Sequence, residues 1–419
     1  MEKNIVIGLM SGTSMDGVDG LAIRTDGESF VEFIGAANIR YSAEAQLAFK
    51  GLEALVRETL GDATSAEKTF ADKFYPALLS LSNKDRADVV MDWLSKTLGT
   101  VSYQGIVDLS TDYHIAVVKE TLVSCLLSAA DVCCIGYHGQ TLFHRPSARV
   151  TVQVGNAQRM ADELGIDVVT DFRRNDVEHG GQGAPFAPLY HQLLARQARI
   201  LPCAFANCGG ISNVTVLGKG ENDIVAFDAG PGNSLIDALV KGATNGAELC
   251  DRDGQYGQKG KVNKRVLEIC MEQAVIVEGQ NYLKKVGPKS LDVADSRLLP
   301  EVLQLSLEDG CRTLEAFTAQ ALVASIDQLG IEMPTTWVLH GGGWSNPVIC
   351  KELQERLNQR AGKPATLHTA DEVGLRAESL EAEIFAYLAM RSILSLPLSV
   401  PGTTGVPQPL TGGVLFKHR

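Results

Sequence analysis

One pattern, met twice, constrains this chain more than any other. Near the start, "NIVIGLMSGTSMDGVDGLAIRT" places Ile5, Val6, Ile7 and Leu9 in a short buried strand. Residues 11–17 are small and turn-forming, and Val18, Leu21, Ala22 and Ile23 begin a second strand. Strand, Gly/Ser/Thr loop, strand is a hairpin and not a strand–loop–helix unit. About halfway along, "CAFANCGGISNVTVLG" repeats the pattern: a strand over 203–206, a Gly/Ser/Asn loop over 207–213 and a strand over 214–217. Two such openings predict two related α/β halves facing one cleft, a common place for a ligand. A length of 419 residues suits two or three domains at about 150 residues each.

Between the openings, residues 43–98 carry helical spacing, as in Leu52, Leu55, Val56 and Leu60, then Phe74, Leu78 and Leu79. Residues 117–127 continue as a helix. "DVCCIGYHGQTLFHR" reads as a buried strand ending at a Gly-flanked turn, "VTVQVG" as a strand, 157–164 as a short helix, and "IDVVTDFRRND" as a strand with a charged end. The loop "HGGQGAPFAP" precedes a helix over 189–196 and marks the boundary between an N-terminal domain (1–190) and a C-terminal domain (191–419). In the second, "DIVAFDAGPGNSLIDALVKGA" predicts a strand, a Gly/Pro loop and a helix. Residues 262–277, 314–329 and 380–396 read as helices. "TTWVLHGGGWSNPVICKELQERL" is a strand, a triple-Gly turn and a helix, and the tail is loop with a final short strand.

Fifty acidic residues against 38 basic ones give a charge of −12, which disfavours a nucleic-acid partner, since that needs a basic surface to displace counterions. No stretch reaches the roughly 18 uninterrupted apolar residues of a spanning helix; Glu383 and Arg391 interrupt the best candidate, 381–400. The apolar run at the start, about six residues, is too short for a secretory core. The expectation is a cytoplasmic chain with no membrane partner. Nine cysteines, without a C-x-x-C pair, signal neither a disulfide framework nor a zinc site and read mostly as small buried hydrophobes.

Gly-rich loops at strand ends expose backbone N–H groups that can cradle phosphate oxygens, or they are simply tight turns. Three occur, at 11–17, 207–213 and 341–343, with neither a P-loop nor a G-x-G-x-x-G signature. Carboxylates stand beside them. Asp16 lies in the first loop and Asp19 just past it; either could hold a metal or cap a turn. Asp171 and Asp176 flank Arg173 and Arg174. Asp228 follows an apolar run and precedes "AGPGN", a placement that predicts partial burial and suits a base. Glu381 opens an apolar helix, where it serves the helix dipole or a site. His138 in "YHGQT" can meet a sugar hydroxyl or a backbone carbonyl, and His340 reads as loop structure. The eight histidines lack H-E-x-x-H, and G-x-S-x-G is absent. The residues therefore describe an α/β enzyme for a phosphorylated ligand, a nucleotide above all. Phosphoryl transfer asks for positioning and charge neutralisation, which such loops and strand-end Asp residues supply.

At this point the motifs resemble one family. "GLMSGTSMDGVD", "GYHGQT", "DFRRNDVEHGGQGAPFAPLYH", "NCGGISN", "FDAGPGN", "PKS", "HGGGWSNP" and "PGTTGVPQPLTGGVL" run in order through nearly the whole chain and are similar to the anhydro-N-acetylmuramic acid kinases. The resemblance implies two actin/hexokinase-like (ribonuclease H-like) domains around a central cleft, and an enzyme using ATP and Mg2+. That enzyme opens the 1,6-anhydro bridge of its amino sugar with water and phosphorylates O6, a step of cell-wall recycling. It implies a small-molecule partner and allows a homodimer. Carried onto this sequence, Gly12, Thr13, Ser14, Met15, Asp16, Gly17, Val18 and Asp19 form the first phosphate loop. Asn207, Gly209 and Gly210 belong to the second, and Gly341, Gly342 and Gly343 lie near the adenosine. Asp228 is the base that activates the water. Asp16 and Glu381 are the magnesium-side carboxylates, and His138, Asp171, Arg174 and Glu381 contact the sugar.

Three positions depart from the family pattern. Cys208 stands where an aliphatic residue is usual, and Phe186 and Ala187 replace a Leu-Val pair. These bear on the sugar more than on the phosphates, so a kinase for levoglucosan is the closest rival. A chaperone-like ATPase of the same fold would need a peptide-binding module, and a non-enzymatic sugar sensor would be expected to lack Asp228.

Overall fold

The computed structural model describes residues 2–12, 14–376 and 380–419. Its strands are β1 (Asn4–Ser11), β2 (Gly17–Thr25), β3 (Val31–Arg40), β4 (Val132–Arg145), β5 (Val150–Val154), β6 (Val168–Thr170), β7 (Cys203–Cys208), β8 (Ile211–Leu217), β9 (Ile224–Pro231), β10 (Ile276–Val277), β11 (Gln280–Asn281), β12 (Thr336–His340), β13 (Thr366–Thr369) and β14 (Val414–Phe416). Its helices are α1 (Ala43–Glu58), α2 (Ala63–Leu81), α3 (Lys84–Leu98), α4 (Tyr103–Ser124), α5 (Ala157–Leu164), α6 (Arg174–Glu178), α7 (Ala187–Ala198), α8 (Ser234–Ala243), α9 (Lys264–Gln273), α10 (Pro300–Leu303), α11 (Leu307–Asp327), α12 (Pro347–Ala361), α13 (Leu380–Ile393) and α14 (Pro401–Thr404). Several begin where a side chain accepts an otherwise unpaired N–H: Ser42 from Ala45, Asn83 from Arg86, Ser102 from Gly105 and Ser306 from Asp309.

The chain divides into two units, Met1–Leu193 with Glu378–Arg419, and Leu194–Ala377. The expected C-terminal domain over 191–419 thus loses its last segment to the first unit. The reason is packing: α13 lies on β1, β2 and β4, and β14 pairs with β6. In the first unit the sheet order is β14-β6-β4-β1-β2-β3, with β5 paired to β4. β1, β2 and β3 are antiparallel neighbours, whereas β4 and β6 run parallel to β1. The second unit repeats this plan as β13-β12-β7-β8-β9, with β7, β8 and β9 antiparallel and β12 and β13 parallel to β7. Each unit therefore has the mixed order 3-2-1-4 that defines a ribonuclease H-like sheet, extended beyond its fourth strand by β6 and β14 in the first unit and by β13 in the second. A pair of such units is the actin/hexokinase-like fold.

Two glycines seat α13 on the first sheet. Gly8 of β1 is paired in register with Gly136 of β4. A Cβ on Gly8 would stand 1.9 Å from the Ala382 carbonyl oxygen, and one on Gly136 would stand 2.2 Å from that of Phe385. Two small residues side by side let the helix backbone press directly on the sheet. Above them a single large cluster, including Ile7, Leu9, Phe49, Phe74, Ile106 and Tyr137, fills the opposite side. Among the described residues the second unit has one cluster around Leu239, Tyr282 and Phe317 and another around Phe227, Leu322 and Trp337. All nine cysteines are free, with Cys134, Cys203, Cys208, Cys270 and Cys311 buried. Among the described residues no helix is long and apolar enough to cross a membrane.

Gly8→Ala should destabilise the protein by about 3 kcal/mol or more, because the clash is with helix backbone that no rotamer can move. Gly242→Ala in α8 meets no atom within 4 Å and should be neutral or stabilising by up to about 1 kcal/mol. Urea denaturation of the two variants beside the parent protein checks both; an unchanged midpoint for Gly8→Ala would refute the seat.

Candidate functional site

In the second unit, strand register does most of the work. His340 of β12 pairs with Asn207 of β7, Asn207 with Asn213 of β8, and Asn213 with Asp228 of β9. Four polar residues thus form one row across the sheet, level with the Gly209–Gly210 turn. The expected loop over 207–213 is shorter than the sequence suggests: only Gly209 and Gly210 separate the strands, and both Asn residues belong to the ladder. The turn is tied back at its carbonyls. Asn233 N–H donates to Gly209 O (2.8 Å) and Gly232 N–H to Gly210 O (2.9 Å). A trans peptide points its N–H opposite to its C=O, so the N–H groups of Gly210 and Ile211 are turned away from that anchor, as an anion site requires. A Cβ on Gly209 would find its nearest neighbour at 3.8 Å, so the space beside that residue is open, whereas one on Gly210 would stand 3.3 Å from Val293 Cγ2.

The triple-Gly turn packs on the end of β7. A Cβ on Gly341 would stand 2.3 Å from Asn207 Oδ1, and one on Gly343 2.4 Å from Cys208 Sγ, whereas Gly342 faces open space. Trp344 Nε1–H donates to Ala206 O at 2.9 Å, fixing the turn from behind. Cys208 is therefore the floor under this turn. Burial holds the His340 imidazole down at about 4, so it stays neutral.

Asp228 is bracketed by the segment 282–291. Its N–H donates to Lys289 O (3.0 Å), its carbonyl accepts from Tyr282 Oη (2.9 Å), and its Oδ2 accepts from Leu291 N–H (2.8 Å). Burial pushes its carboxyl up to about 6, against the pull of the Leu291 N–H and of the Lys289 ammonium. Burial in turn lowers Lys289 to about 8 while Asp228 raises it. Lys289 donates to Tyr282 O (3.0 Å) and sits 4.4 Å from the Tyr282 ring centroid. A carboxylate poised near neutrality beside a held ammonium is what a general base needs. Lys289 carried no assigned role in the sequence; its signal was the "PKS" motif, whose partner only the fold reveals.

In the first unit the β1–β2 loop is pinned from the body side. Met15 N–H and Gln140 Nε2 both donate to Gly12 O (3.1 and 3.2 Å), and Tyr41 N–H donates to Asp16 O. Met15 and Val18 are buried core residues, so they serve the loop through their backbone. Gly17 is required by packing, since a Cβ there would stand 2.6 Å from Ile39 O. Thr13 lies outside the described residues. Asp16 is exposed, accepts from Ser14 Oγ (3.0 Å) and is ion-paired to Arg40 (2.9 Å). Glu381, at the first turn of α13, interacts instead with Asp19. Water reaches Glu381, yet the surrounding protein raises its pKa; Arg173 opposes the shift and Asp19 adds to it.

His138, Asp171 and Arg174 do come together. With Gly139, Gln153 and Asn156 they line a cavity of about 630 Å3 in the first unit. Arg174 and Asp171 are ion-paired at 2.9 Å. His138 Nδ1–H donates to Gly139 O (2.8 Å), so its Nε2 lone pair accepts from Arg173 Nε–H (2.8 Å). Burial and the neighbouring Arg173 hold this imidazole well below its usual range, so it is a neutral acceptor and not a base. Arg173 also donates to Gly183 O (2.6 Å) and lies over the rings of Phe186 and Phe385. It anchors the "GGQGAP" loop, a role that sequence reasoning missed. Asp176 completes the anchor, accepting from Gly183 N–H and Thr404 Oγ1–H, both at 2.6 Å.

Among the described residues no three His, Cys, Asp or Glu side chains form a metal cage. The donor set fits magnesium nonetheless, because that ion is usually held by one or two carboxylates together with substrate phosphates and water. Glu381 feels the negative charge of Asp19, and Asp16 stands exposed in an ion pair with Arg40, so all three carboxylates are available to such an ion.

A family model described as anhydro-N-acetylmuramic acid kinase matches residues 62–418. The chain belongs to the anhydro-N-acetylmuramic acid kinase family. Relatives named anhydro-N-acetylmuramic acid kinase occur in Agrobacterium fabrum (38% identical over 419 residues, 99% of each chain) and Azorhizobium caulinodans (38% over 418 residues, 98% of each). Another, in Rhizorhabdus wittichii, is 35% identical over 418 residues and all of both chains. Membership in this kinase family makes the protein an enzyme, a phosphotransferase.

Lys289→Met removes a cation that holds the Asp228 carboxyl down, so Asp228 should titrate above about 6. The acidic limb of the kcat/KM profile should move to higher pH by on the order of one unit. An unmoved limb would separate Lys289 from the base.

Proposed function

We propose that the protein hydrolytically opens 1,6-anhydro-N-acetylmuramic acid and phosphorylates the freed O6 from ATP. The products are N-acetylmuramic acid 6-phosphate and ADP, formed in the cytoplasm during cell-wall recycling. The observation that carries this reading is Asp228: a carboxyl raised toward neutrality, held by the Leu291 N–H on a residue whose backbone is fixed at both its N–H and its carbonyl, and level with the Gly209–Gly210 turn.

Water attacks the anomeric carbon, and Asp228 takes the proton that the water loses. The bond from that carbon to O6 breaks, and O6 accepts the γ-phosphoryl group as the bond to ADP breaks. The second unit supplies the base, the Gly209–Gly210 phosphate turn and the Gly341–Gly343 turn for the adenosine. The first unit supplies the phosphate loop of Gly12, Ser14, Asp16 and Gly17, and polar sugar contacts from Asp171 and Arg174, while His138, with both ring nitrogens engaged, lines the same cavity and holds Arg173. Arg173 holds the neighbouring loop in place. Magnesium, when bound through Asp19 and Glu381, neutralises charge on the phosphates.

The test is an ADP-release assay with the anhydro amino sugar and levoglucosan in parallel. Release should rise with the first sugar well beyond the sugar-free control and beyond levoglucosan. Asp228→Asn should lower turnover by about 10²- to 10⁴-fold while the nucleotide still binds. Release that neither sugar stimulates would end the reading, and near-normal turnover by the Asn variant would remove Asp228 as the base.

A further inference from the structure

The second unit buries a carboxyl group that the chemistry above does not use. Glu315 on α11 is fully buried. Its Oε1 accepts from Asn346 Nδ2–H at 2.8 Å, whereas no donor among the described residues reaches its Oε2; the Asp251 carboxylate beside Glu315 can only accept, so a bond between the two acids needs a proton on one of them. Asn346 closes the triple-Gly turn and caps α12, its Oδ1 accepting from Val348 N–H at 2.9 Å. On the other side of Glu315 stands Asp251, nearly as buried, whose carboxylate accepts from Tyr256 N–H (2.9 Å) and Gly257 N–H (3.0 Å).

Two glycines of the 251–260 loop are pressed onto this cluster. A Cβ on Gly257 would stand 1.9 Å from Glu315 Oε2, and one on Gly254, whose φ is +67°, would stand 2.5 Å from Asn346 Oδ1. One carboxyl therefore joins three pieces: the 251–260 loop, α11, and the turn that carries Gly341–Gly343. Two carboxyl groups can stand side by side in such a dry place only while one keeps its proton.

We propose that Glu315, in its neutral acid form, is a positioning residue that holds the triple-Gly turn in its nucleotide-binding shape through Asn346. This rests on the reading of that turn as the adenosine site. Burial and the neighbouring Asp251 push the Glu315 carboxyl up to about 8, with Asn346 and Arg312 opposing. The other charged groups around it are committed elsewhere. Arg312 pairs with Glu352 at 2.5 Å, Arg356 pairs with the same Glu352, and Tyr256 Oη–H donates to Glu248. The sign follows from the direction of the shift. A carboxyl whose folded pKa is raised favours the folded, clasped form at low pH. That contribution is lost as pH climbs through about 8.

The experiment measures binding and not turnover, using calorimetry of a non-hydrolysable ATP analogue with the full-length protein. If only the protonated form keeps the turn in shape, the parent protein should bind about tenfold more weakly at ~pH 9 than at ~pH 7. Glu315→Gln keeps an acceptor for Asn346 and a donor toward Asp251 without a titrating proton. It should bind as tightly as the parent at the lower pH and show little change at the higher. The Gln variant leaves Lys289 untouched, so titration of that ammonium is controlled. Glu315→Ala should weaken the analogue about tenfold at both pH values, with the KM for the sugar unchanged. A parent affinity that is flat across this range, or a Gln variant as weak as the Ala variant, would overturn the proposal even if Ala fails to fold. Absence of nucleotide binding at either pH would instead indict the underlying reading of the turn.

Discussion

Backbone contact between α13 and the first sheet is the constraint on which the rest of that unit depends. A helix lying on a sheet normally stands off by the depth of its side chains. Here Gly8 and Gly136, neighbours on β1 and β4, remove that spacing at the point of closest approach. The first turn of the helix then brings Glu381 within electrostatic reach of Asp19 and Arg173. One turn further on, Phe385 packs against His138 at 4.4 Å and beneath the Arg173 guanidinium. Acid, imidazole and guanidinium are thus positioned by two absent methyl groups.

The two units tune charge by opposite means. In the second, Asp228 and Lys289 are both desolvated, and each offsets part of the other's cost, so both titrate nearer neutrality than they would in water. In the first, Arg173 has no carboxylate within ion-pair distance among the described residues. Its charge is compensated at longer range by Glu381 and Asp176, and burial brings it down to about 10. The Asp228–Lys289 arrangement has the charge balance that proton transfer needs. The arrangement around Arg173 holds geometry, because an imidazole lone pair and a backbone carbonyl fix the guanidinium plane.

Much of this was legible in the amino-acid sequence. The paired hairpins around residues 11–17 and 209–210 are written in their Gly-rich turns, and the burial of Asp228 in the apolar run before it. Less legible was where those turns begin. Asn207 and Asn213 look like loop residues by type, but strand pairing recruited them, because the ladder continues until the two glycines force the bend. β4 likewise runs past Gly139, whose positive φ of 76° kinks the strand without ending it, since β5 pairs with the remainder. The choice between Arg173 and Arg174 was beyond the sequence. Adjacent residues face different surroundings at the start of α6, and only His138, 35 positions away, marks the inner one. The domain limits suffered for a similar reason, since nothing local in "LEAEIFAYLAMRSI" shows which sheet it will cover.

The split of the first unit across the sequence also sets an order of events during synthesis. Leu194–Ala377 is a continuous stretch, so it holds everything its own sheet requires as soon as it leaves the ribosome. The earlier-made part of the first unit must meanwhile wait with its glycine floor bare and the edge of β6 unpaired, because the segments that cover them are made after residue 377. Domains usually mature from the amino end onward; in this protein the later-made unit can finish first. A chain cut short after residue 377 would leave a finished second half attached to an open, sticky first one.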